Sequence, residues 1–321
     1  MKHEDSERGL LIDVARLYYE QQLTQSEIGR RLNTSRSTVS RLLQEARDTG
    51  VVQITINYTW ERDTLLENEL IHHFGIRDAK VLKAYNPPTS ETHKGLGHLA
   101  SRYLNRIADD NVKIGVSYGR SIAATVEQIP PTPRENVTVV QIIGALGSSN
   151  PLIEGTDLTR ELAHRYSAHY RYLHAPLMVE DARTRDLLAN EPTVYETLNL
   201  GRHSDIALLG IGSLGSDTSL IWEGYLTEKE LMWLRNIGAV GHMCAQFFDR
   251  DGQVLEIDLN RRSIGIGLEA LPQIGTVIAV AGSRDKAEAI WGALRGHYID
   301  VLITDDEAAR QIMRLSRGSA G

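Results

Sequence analysis

The sequence predicts an α/β protein in two parts, a small N-terminal winged helix-turn-helix domain over residues 1–57 and a doubly wound, mostly parallel sheet domain over residues 58–321. Three observations predict it. Residues 24–50, TQSEIGRRLNTSRSTVSRLLQEARDTG, carry two helix-start signals on either side of a short polar break. From about Asp78 onward, short β-branched runs alternate with stretches of helical periodicity, the pattern of a parallel sheet with helices on both faces. The length of 321 residues exceeds one typical domain and is ample for a real core.

In chain order, residues 10–22 read as a first helix with Leu11, Val14, Ala15, Leu17 and Tyr18 on its apolar face. Thr24 can cap the next helix while Glu27, three residues on, reaches back to the cap's own amide, the reciprocal capping box. Ile28 and Leu32 then share one face. Asn33 and Thr34 make a polar break, Ser35 can cap a further helix, and Val39, Leu42, Leu43 and Ala46 recur at helical spacing before Gly50 offers a left-handed stop. Ser35, Arg36, Ser37, Thr38, Ser40 and Arg41 cluster at that helix's start, and these are residue types that reach base edges and phosphates. An ordinary helical hairpin with a solvated polar face is the plainer reading of any one of these signals. Their coincidence favours a DNA-recognition helix.

Residues 51–57, VVQITIN, alternate apolar and polar side chains and read as a wing strand closing the small domain. Residues 61–74 are again helix-like, with Leu65, Leu66, Leu70 and Ile71 in register. Beyond them the strand candidates are 79–82, 112–116, 137–143, 206–209, 277–281 and 301–303, with helical stretches at 93–107, 158–166, 286–294 and 307–315. In such a sheet, ligands bind in the crevice outside the carboxyl ends of the strands.

The loops at those ends therefore carry the candidate site. In VKIGVSYGRSIAATV a strand runs into Ser117, Tyr118, Gly119, Arg120 and Ser121 and then a helix. Small residues there let amides approach an anion at a helix N-terminus, and Arg120 can add a charge-assisted contact. A plain tight turn explains the small residues about as well, and neither the Walker ending nor the three-glycine dinucleotide fingerprint is present. Gly144 in IGALGSS can line the same crevice, as can the glycines of DIALLGIGS. Lys286 in VIAVAGSRDKAEAI opposes a helix dipole unless an anion sits nearby, although a solvated lysine is the commoner fate. Asp305 and Asp306 read as caps of the last helix rather than catalytic carboxylates.

The net charge of −7 would ordinarily argue against nucleic acid, so its distribution matters more than its sum. The first 57 residues hold eight basic and eight acidic side chains, and residues 24–47 hold five arginines against two glutamates, a local +3 on an acidic protein. That suits a chain touching DNA through one module. The single cysteine, Cys244, excludes an internal disulfide and reads as a small buried apolar residue. The N-terminus has no apolar signal core, and the longest aliphatic run, near 274–281, is far below the roughly 18 residues that span a bilayer, so a soluble cytoplasmic protein without membrane partners is expected. No histidine pair has the spacing that puts two metal ligands on one helix face, no nucleophile elbow occurs, and no metal or cofactor is expected.

The order of these pieces resembles the SorC family of sugar-binding bacterial transcriptional regulators (SorC/DeoR type). TQSEIGRRL, SRSTVSRLLQEARDTGVVQITI, VKIGVSYGRSI, VVQIIGALG, HAPLMV, DIALLGIGS, GAVGHMCAQFFDRDG, LNRRSIGI, AVAGSRDKAEAIWGALRG and LITDDEAA carry the resemblance over nearly the whole chain. It implies a helix-turn-helix joined to an effector domain similar to the glucosamine-phosphate deaminase and ribose-phosphate isomerase fold, tetramers (dimers of dimers), operator DNA as partner, and a sugar phosphate or related sugar as effector. By matching motif, the turn from Ser117 to Ser121 would hold the phosphate, with Gly119, Arg120 and Ser121 foremost, and Lys286 would bind the sugar or its phosphate. Two departures stand out: His242 replaces the usual Asp or Glu, and Ser37 the frequent proline. An imidazole offers one donor and one acceptor where a carboxylate only accepts. The implied function is a repressor of a carbohydrate-utilisation operon rather than an enzyme. A sugar-phosphate isomerase or deaminase with an appended DNA-binding module is the alternative, because one fold can host either job.

Overall fold

The structure, a computed structural model, describes residues 2–52, 60–83, 89–148, 150, 153–215 and 224–318, and the backbone divides into two units, Met1–Thr59 and Trp60–Gly321. In the first unit, α1 (Lys2–Ala15) begins well before residue 10 and runs on into a π-helical turn, Arg16–Glu20. Leu11, Val14, Ala15 and Leu17 turn inward, but Tyr18 is exposed and packs edge-on against Tyr19. The wider i→i+5 turn, closed by the Gln21 amide on the Arg16 carbonyl, rotates Tyr18 off the face that a 3.6-residue period gives it. The wing expected over 51–57 falls, from residue 53 on, outside the described residues.

Next come α2 (Gln25–Arg31) and α3 (Arg36–Asp48). Both halves of the capping box are made: the Glu27 amide donates to Thr24 Oγ1 at 3.3 Å and the Thr24 amide to Glu27 Oε2 at 2.8 Å. The Thr24 hydroxyl, donating to Glu27 Oε2 at 2.7 Å, and then the Thr24 amide hold the Glu27 carboxyl below its ordinary value. Asn33 turns the chain at φ 52, a conformation asparagine tolerates better than most residues, and the Thr34 amide closes the turn on the Gly29 carbonyl at 2.8 Å. Val14, Leu17, Ile28, Val39 and Leu43 form the core of this unit. Gly50 supplies the left-handed stop at φ 72.

The second unit opens with α4 (Thr64–Phe74), capped by Asp63. Its predicted apolar face is rolled. Leu65 is 76% exposed and Glu67 only 4%. Glu67 is turned inward because Arg62 Nε donates to it at 2.7 Å and the Val81 amide at 2.9 Å, a pairing that repetition of apolar residues cannot reveal.

A seven-stranded, wholly parallel sheet follows, built from β1 (Asp78–Leu82), β2 (Lys113–Val116), β3 (Thr138–Gln141), β4 (His169–Arg171), β5 (Ile206–Gly210), β9 (Thr276–Val280) and β10 (Val301–Asp305). A smaller antiparallel sheet of β6 (Gly212–Ser213), β7 (Ala239–Met243) and β8 (Gln246–Asp249) lies in chain order between β5 and β9. The crossover helices are α5 (Thr89–Ile107), α6 (Arg120–Glu127), α7 (Gly155–Tyr166), α8 (Ala182–Ala189), α9 (Pro192–Arg202), α10 (Glu228–Asn236), α11 (Asp258–Arg262) and α12 (Ala287–Arg295), and α13 (Asp306–Gly318) ends the fold.

Alternate residues of each strand feed two cores. Ile206 and Leu208 pack with α5, α6 and α7 on one face, while Ala207 and Leu209 join the core on the other. The exposed edge strand β4, HYR, and the two-residue β6 lack the apolar runs by which a strand announces itself. Sheet order is β1-β10-β9-β5-β2-β3-β4. From β2 the chain winds outward through β3 and β4, then returns to place β5 on β2's other side. The loops after β2 and β5 therefore part in opposite directions, and a crevice opens between them at the carboxyl ends.

Candidate functional site

A cavity of about 260 Å³ occupies that crevice. It brings together Ser117, Gly119, Arg120 and Ser121 after β2, Gly210 at the end of β5, Gly212 at the start of β6, His242 from β7, and Ser283 and Lys286 after β9. Of the predicted site residues, Gly144 alone is placed elsewhere. Its amide donates to the Ile264 carbonyl at 2.9 Å and its Cα faces the Pro176 carbonyl, so this part of the IGALG loop is held against those two segments and does not line the cavity.

The turn after β2 is shaped by Gly119, whose φ of 117 a side chain would resist. Its amide is already used, donating to the Ile153 carbonyl at 3.1 Å, so Gly119 contributes conformation rather than a hydrogen bond to a ligand. The first-turn amides of α6 have no intrahelical acceptor, and its N-cap, Gly119, has no side chain to cap them. Ser117 Oγ accepts from the Gly210 amide at 3.3 Å, tying the β2 and β5 loops together while its hydroxyl proton can still reach a ligand.

After β9, Ser283 adopts φ 88, unusual for a residue with a side chain. Its amide donates to Asp305 Oδ2 at 2.6 Å, and Asp305 Oδ1 accepts from the Ala308 amide at 2.8 Å, so one buried carboxylate caps α13 and pins the strained turn. Burial pushes the Asp305 carboxyl up from its ordinary value. The turn places Lys286 just before α12, where Nζ donates to the Ile211 carbonyl at 3.0 Å.

His242 pairs with Gly212 across β6 and β7. The residue is 5% exposed and its ring rests on Phe247, with centroids 5.5 Å apart. Nε2 is buried without a hydrogen-bond partner among the described residues. Burial first, and the neighbouring Lys286 charge second, push the imidazole down to about 4, so at neutral pH it is uncharged. The β7–β8 hairpin turns on Cys244 and Ala245, at φ 49 and 57. Cys244 is buried, as expected, and burial beside Glu269 pushes its thiol up to about 12, which leaves it unreactive.

Gly212 is required by close approach. A Cβ there would lie 2.0 Å from His242 Nε2. Gly212→Ala should cost about 1–3 kcal/mol through overpacking, measured by urea unfolding. Because the clash is with the imidazole, most of that loss should disappear in a Gly212→Ala/His242→Ala double mutant relative to His242→Ala.

Tyr118 lines the cavity with the rest of its turn, and Thr92, His93, Ser213 and Asp285 also line it without having been singled out from sequence. Ser213 and Asp285 sit inside motifs already quoted, whereas Thr92 and His93 arrive from the start of α5 with no local signal. Among the described residues no cluster of side chains suited to a metal ion occurs, and no helix is long and apolar enough to cross a membrane.

In the other unit, Ser35 caps α3 by accepting from the Thr38 amide at 3.0 Å, and its hydroxyl also meets those of Ser37 and Thr38 at 2.8 Å each. Arg36, Ser37, Ser40 and Arg41 are exposed and Thr38 partly so, in a stripe that Gln44 extends by one turn. Ser35 and Thr38 thus hold the helix start while the arginines stand outward.

A helix-turn-helix with an outward basic stripe, joined in one chain to a ligand-sized cavity at a sheet's switch point, defines a ligand-responsive DNA-binding regulator. Residues 58–314 match the family described as "Putative sugar-binding domain", and residues 13–49 match sigma-70 region 4. The chain is 31% identical over 304 residues to the deoxyribonucleoside regulator of Bacillus subtilis, covering 95% of this chain and 97% of that one. It is 31% identical over 315 residues to the transcriptional regulator LsrR of Klebsiella pneumoniae, covering 97% and 94%. The crystal structure of the full-length sorbitol operon regulator SorC from Klebsiella pneumoniae superposes with a TM-score of 0.73 at 29% identity, covering 96% of this chain and 99% of that one. The chain belongs to the SorC family of sugar-binding transcriptional regulators, and these relatives are regulators rather than enzymes.

Proposed function

We propose that the protein is a cytoplasmic repressor of a carbohydrate-utilisation operon, whose affinity for operator DNA is set by a sugar phosphate bound in the switch-point cavity. In this reading residues 1–57 form the DNA-binding arm and residues 58–321 the effector and assembly domain. Ser117, Arg120 and Ser121 hold the phosphate at the start of α6, with Gly119 shaping the turn, while His242 and Lys286 contact the sugar. Relatives named for sorbitol operon regulation and erythritol catabolism support a sugar or polyol skeleton. The observation that carries the reading is the buried, unpartnered Nε2 of His242 beside this cavity, since such an atom is left wanting until a ligand supplies its hydrogen bond.

Arg36, Ser37, Ser40 and Arg41 meet the operator. One arm with a local +3 charge neutralises few phosphates, so useful affinity needs several arms held together, in keeping with a homo-tetramer built as a dimer of dimers. The effector acts by binding one quaternary arrangement better than another, because equal affinity for both shifts nothing. Titrating full-length protein against operator fragments with a panel of sugar phosphates tests this. At least one should weaken binding tenfold or more, and an unchanged affinity with every member of the panel refutes sugar-phosphate control. Arg41→Ala should weaken operator binding by about 1–3 kcal/mol for each bidentate pairing with a base edge that it removes, with the thermal stabilisation given by effector preserved.

A further inference from the structure

We infer that Gln44 reads an adenine in the major groove of the operator, and that Asp48 is the positioning residue that turns its amide for that task. The inference rests on the reading of α3 as the helix that meets DNA, and adds the base that its third turn selects. Val39, Leu43 and Ala46 bury one side of α3. Gln44 lies seven residues beyond Ser37, two helical turns, and so shares its face, while Ser40 and Arg41, four and three residues before Gln44, flank it on either hand. That face is turned away from the core, and Gln44 stands exposed in the middle of it.

Gln44 Nε2 donates to Asp48 Oδ1 at 2.9 Å, one turn further on. An ionised carboxylate only accepts, so the contact fixes which way the amide points: its NH2 lies toward Asp48. Asp48 takes one of the two hydrogens. The other hydrogen and Oε1 make no further bond among the described residues, which leaves a donor beside an acceptor. Adenine presents the complementary pair on its major-groove edge, with N7 accepting and N6–H donating. Guanine presents two acceptors there, so Oε1 would face O6 with no hydrogen between them.

Two costs attend Asp48. It is the last residue of α3, where the helix dipole disfavours an anion, and it lies on the face that approaches phosphates. A Gln–Asp pair at this spacing adds little to helix stability, and any exposed face of the helix would serve for that. On the face that meets DNA the pair does more. A glutamine already turned toward the base loses less rotamer freedom when the base arrives.

Selection from a randomised double-stranded DNA library by the full-length protein, read by sequencing, tests this in wild type, Arg41→Ala, Gln44→Ala, Asp48→Ala and Asp48→Asn. All three positions are exposed, so loss of the fold does not confuse the result. Wild type should enrich a half-site containing an adenine whose preference over other bases falls about 5- to 100-fold in Gln44→Ala, while preferences elsewhere in the site persist. Asp48→Ala should lose preference at that same position while its binding to unrelated DNA rises, because a negative charge has gone. Asp48→Asn, whose amide oxygen still accepts from Nε2, should keep the adenine preference. In the selected site, 7-deazaadenine at that position removes the N7 acceptor and should weaken wild type about fivefold or more, with no effect on Gln44→Ala.

Unchanged preferences in Gln44→Ala, a loss spread over the whole site, loss of a base other than adenine, or tolerance of 7-deazaadenine by wild type overturns the role of Gln44. An adenine preference that survives in Asp48→Ala, or is lost in Asp48→Asn, overturns that of Asp48. A profile altered by Arg41→Ala alone leaves α3 as the reading helix and removes Gln44 from it. Enrichment of no sequence by wild type, or a profile that neither Arg41→Ala nor Gln44→Ala alters, brings down the reading of α3 as well.

Discussion

Lys286→Met should collapse the effector response. The operator affinity ratio with and without effector should shrink to near one at effector concentrations that saturate wild type, and the half-saturating concentration should rise about 10- to 100-fold. The size follows from what is removed. A charge-assisted hydrogen bond from an ammonium group contributes about 1.5–3 kcal/mol, and methionine keeps most of the aliphatic stem while losing the charge. Lys286 also donates to the Ile211 carbonyl, so the substitution loosens the join between the strained turn at Ser283 and the loop after β5. Thermal unfolding without effector separates these contributions: a structural defect lowers the baseline Tm, whereas removal of a ligand-binding group reduces only the stabilisation that effector adds. An unaltered dose–response curve for Lys286→Met would displace the proposed pocket.

The residues of this site differ in how far sequence alone could find them, and the difference has a physical origin. That Ser117 to Ser121 and Lys286 share one cavity was legible because small residues and a lysine at strand-to-helix turns are local signals, and a parallel sheet collects such turns at one end. Gly144 misled for the same reason. A glycine after a strand can open a ligand crevice or admit a neighbouring backbone, and here the Pro176 carbonyl takes the space. Thr92 and His93 were invisible because their place at the cavity depends on how α5 crosses the sheet.

The helix-turn-helix was legible almost to the residue, since caps, turn and stop lie within 27 consecutive positions and each acts on neighbours. Where context overrode pattern, the cause is equally specific. Glu67 is buried because Arg62 and the Val81 amide wait for it, and Tyr18 is exposed because a π-turn shifts the helical phase.

The second large effect concerns acid. The imidazole of His242 is about 4 in the folded protein against an ordinary 6.5 in the unfolded chain, lowered by burial and then by Lys286. Between those values the unfolded state binds the extra proton, so stability is retained above about pH 6.5 and declines as the pH falls toward 4. The shift corresponds to about 3 kcal/mol, a large share of an ordinary domain's stability. Urea unfolding at pH 7 and at pH 4.5 should show wild type losing about 2–3 kcal/mol more than His242→Gln, whose side chain does not titrate. Equal losses in the two proteins would mean that the ring is solvated. Removing the Lys286 charge lets the folded imidazole rise toward its ordinary value, which narrows the pH window of the decline and shrinks it. The ordering of causes at this site, burial before charge, predicts that most of the acid sensitivity persists in Lys286→Met.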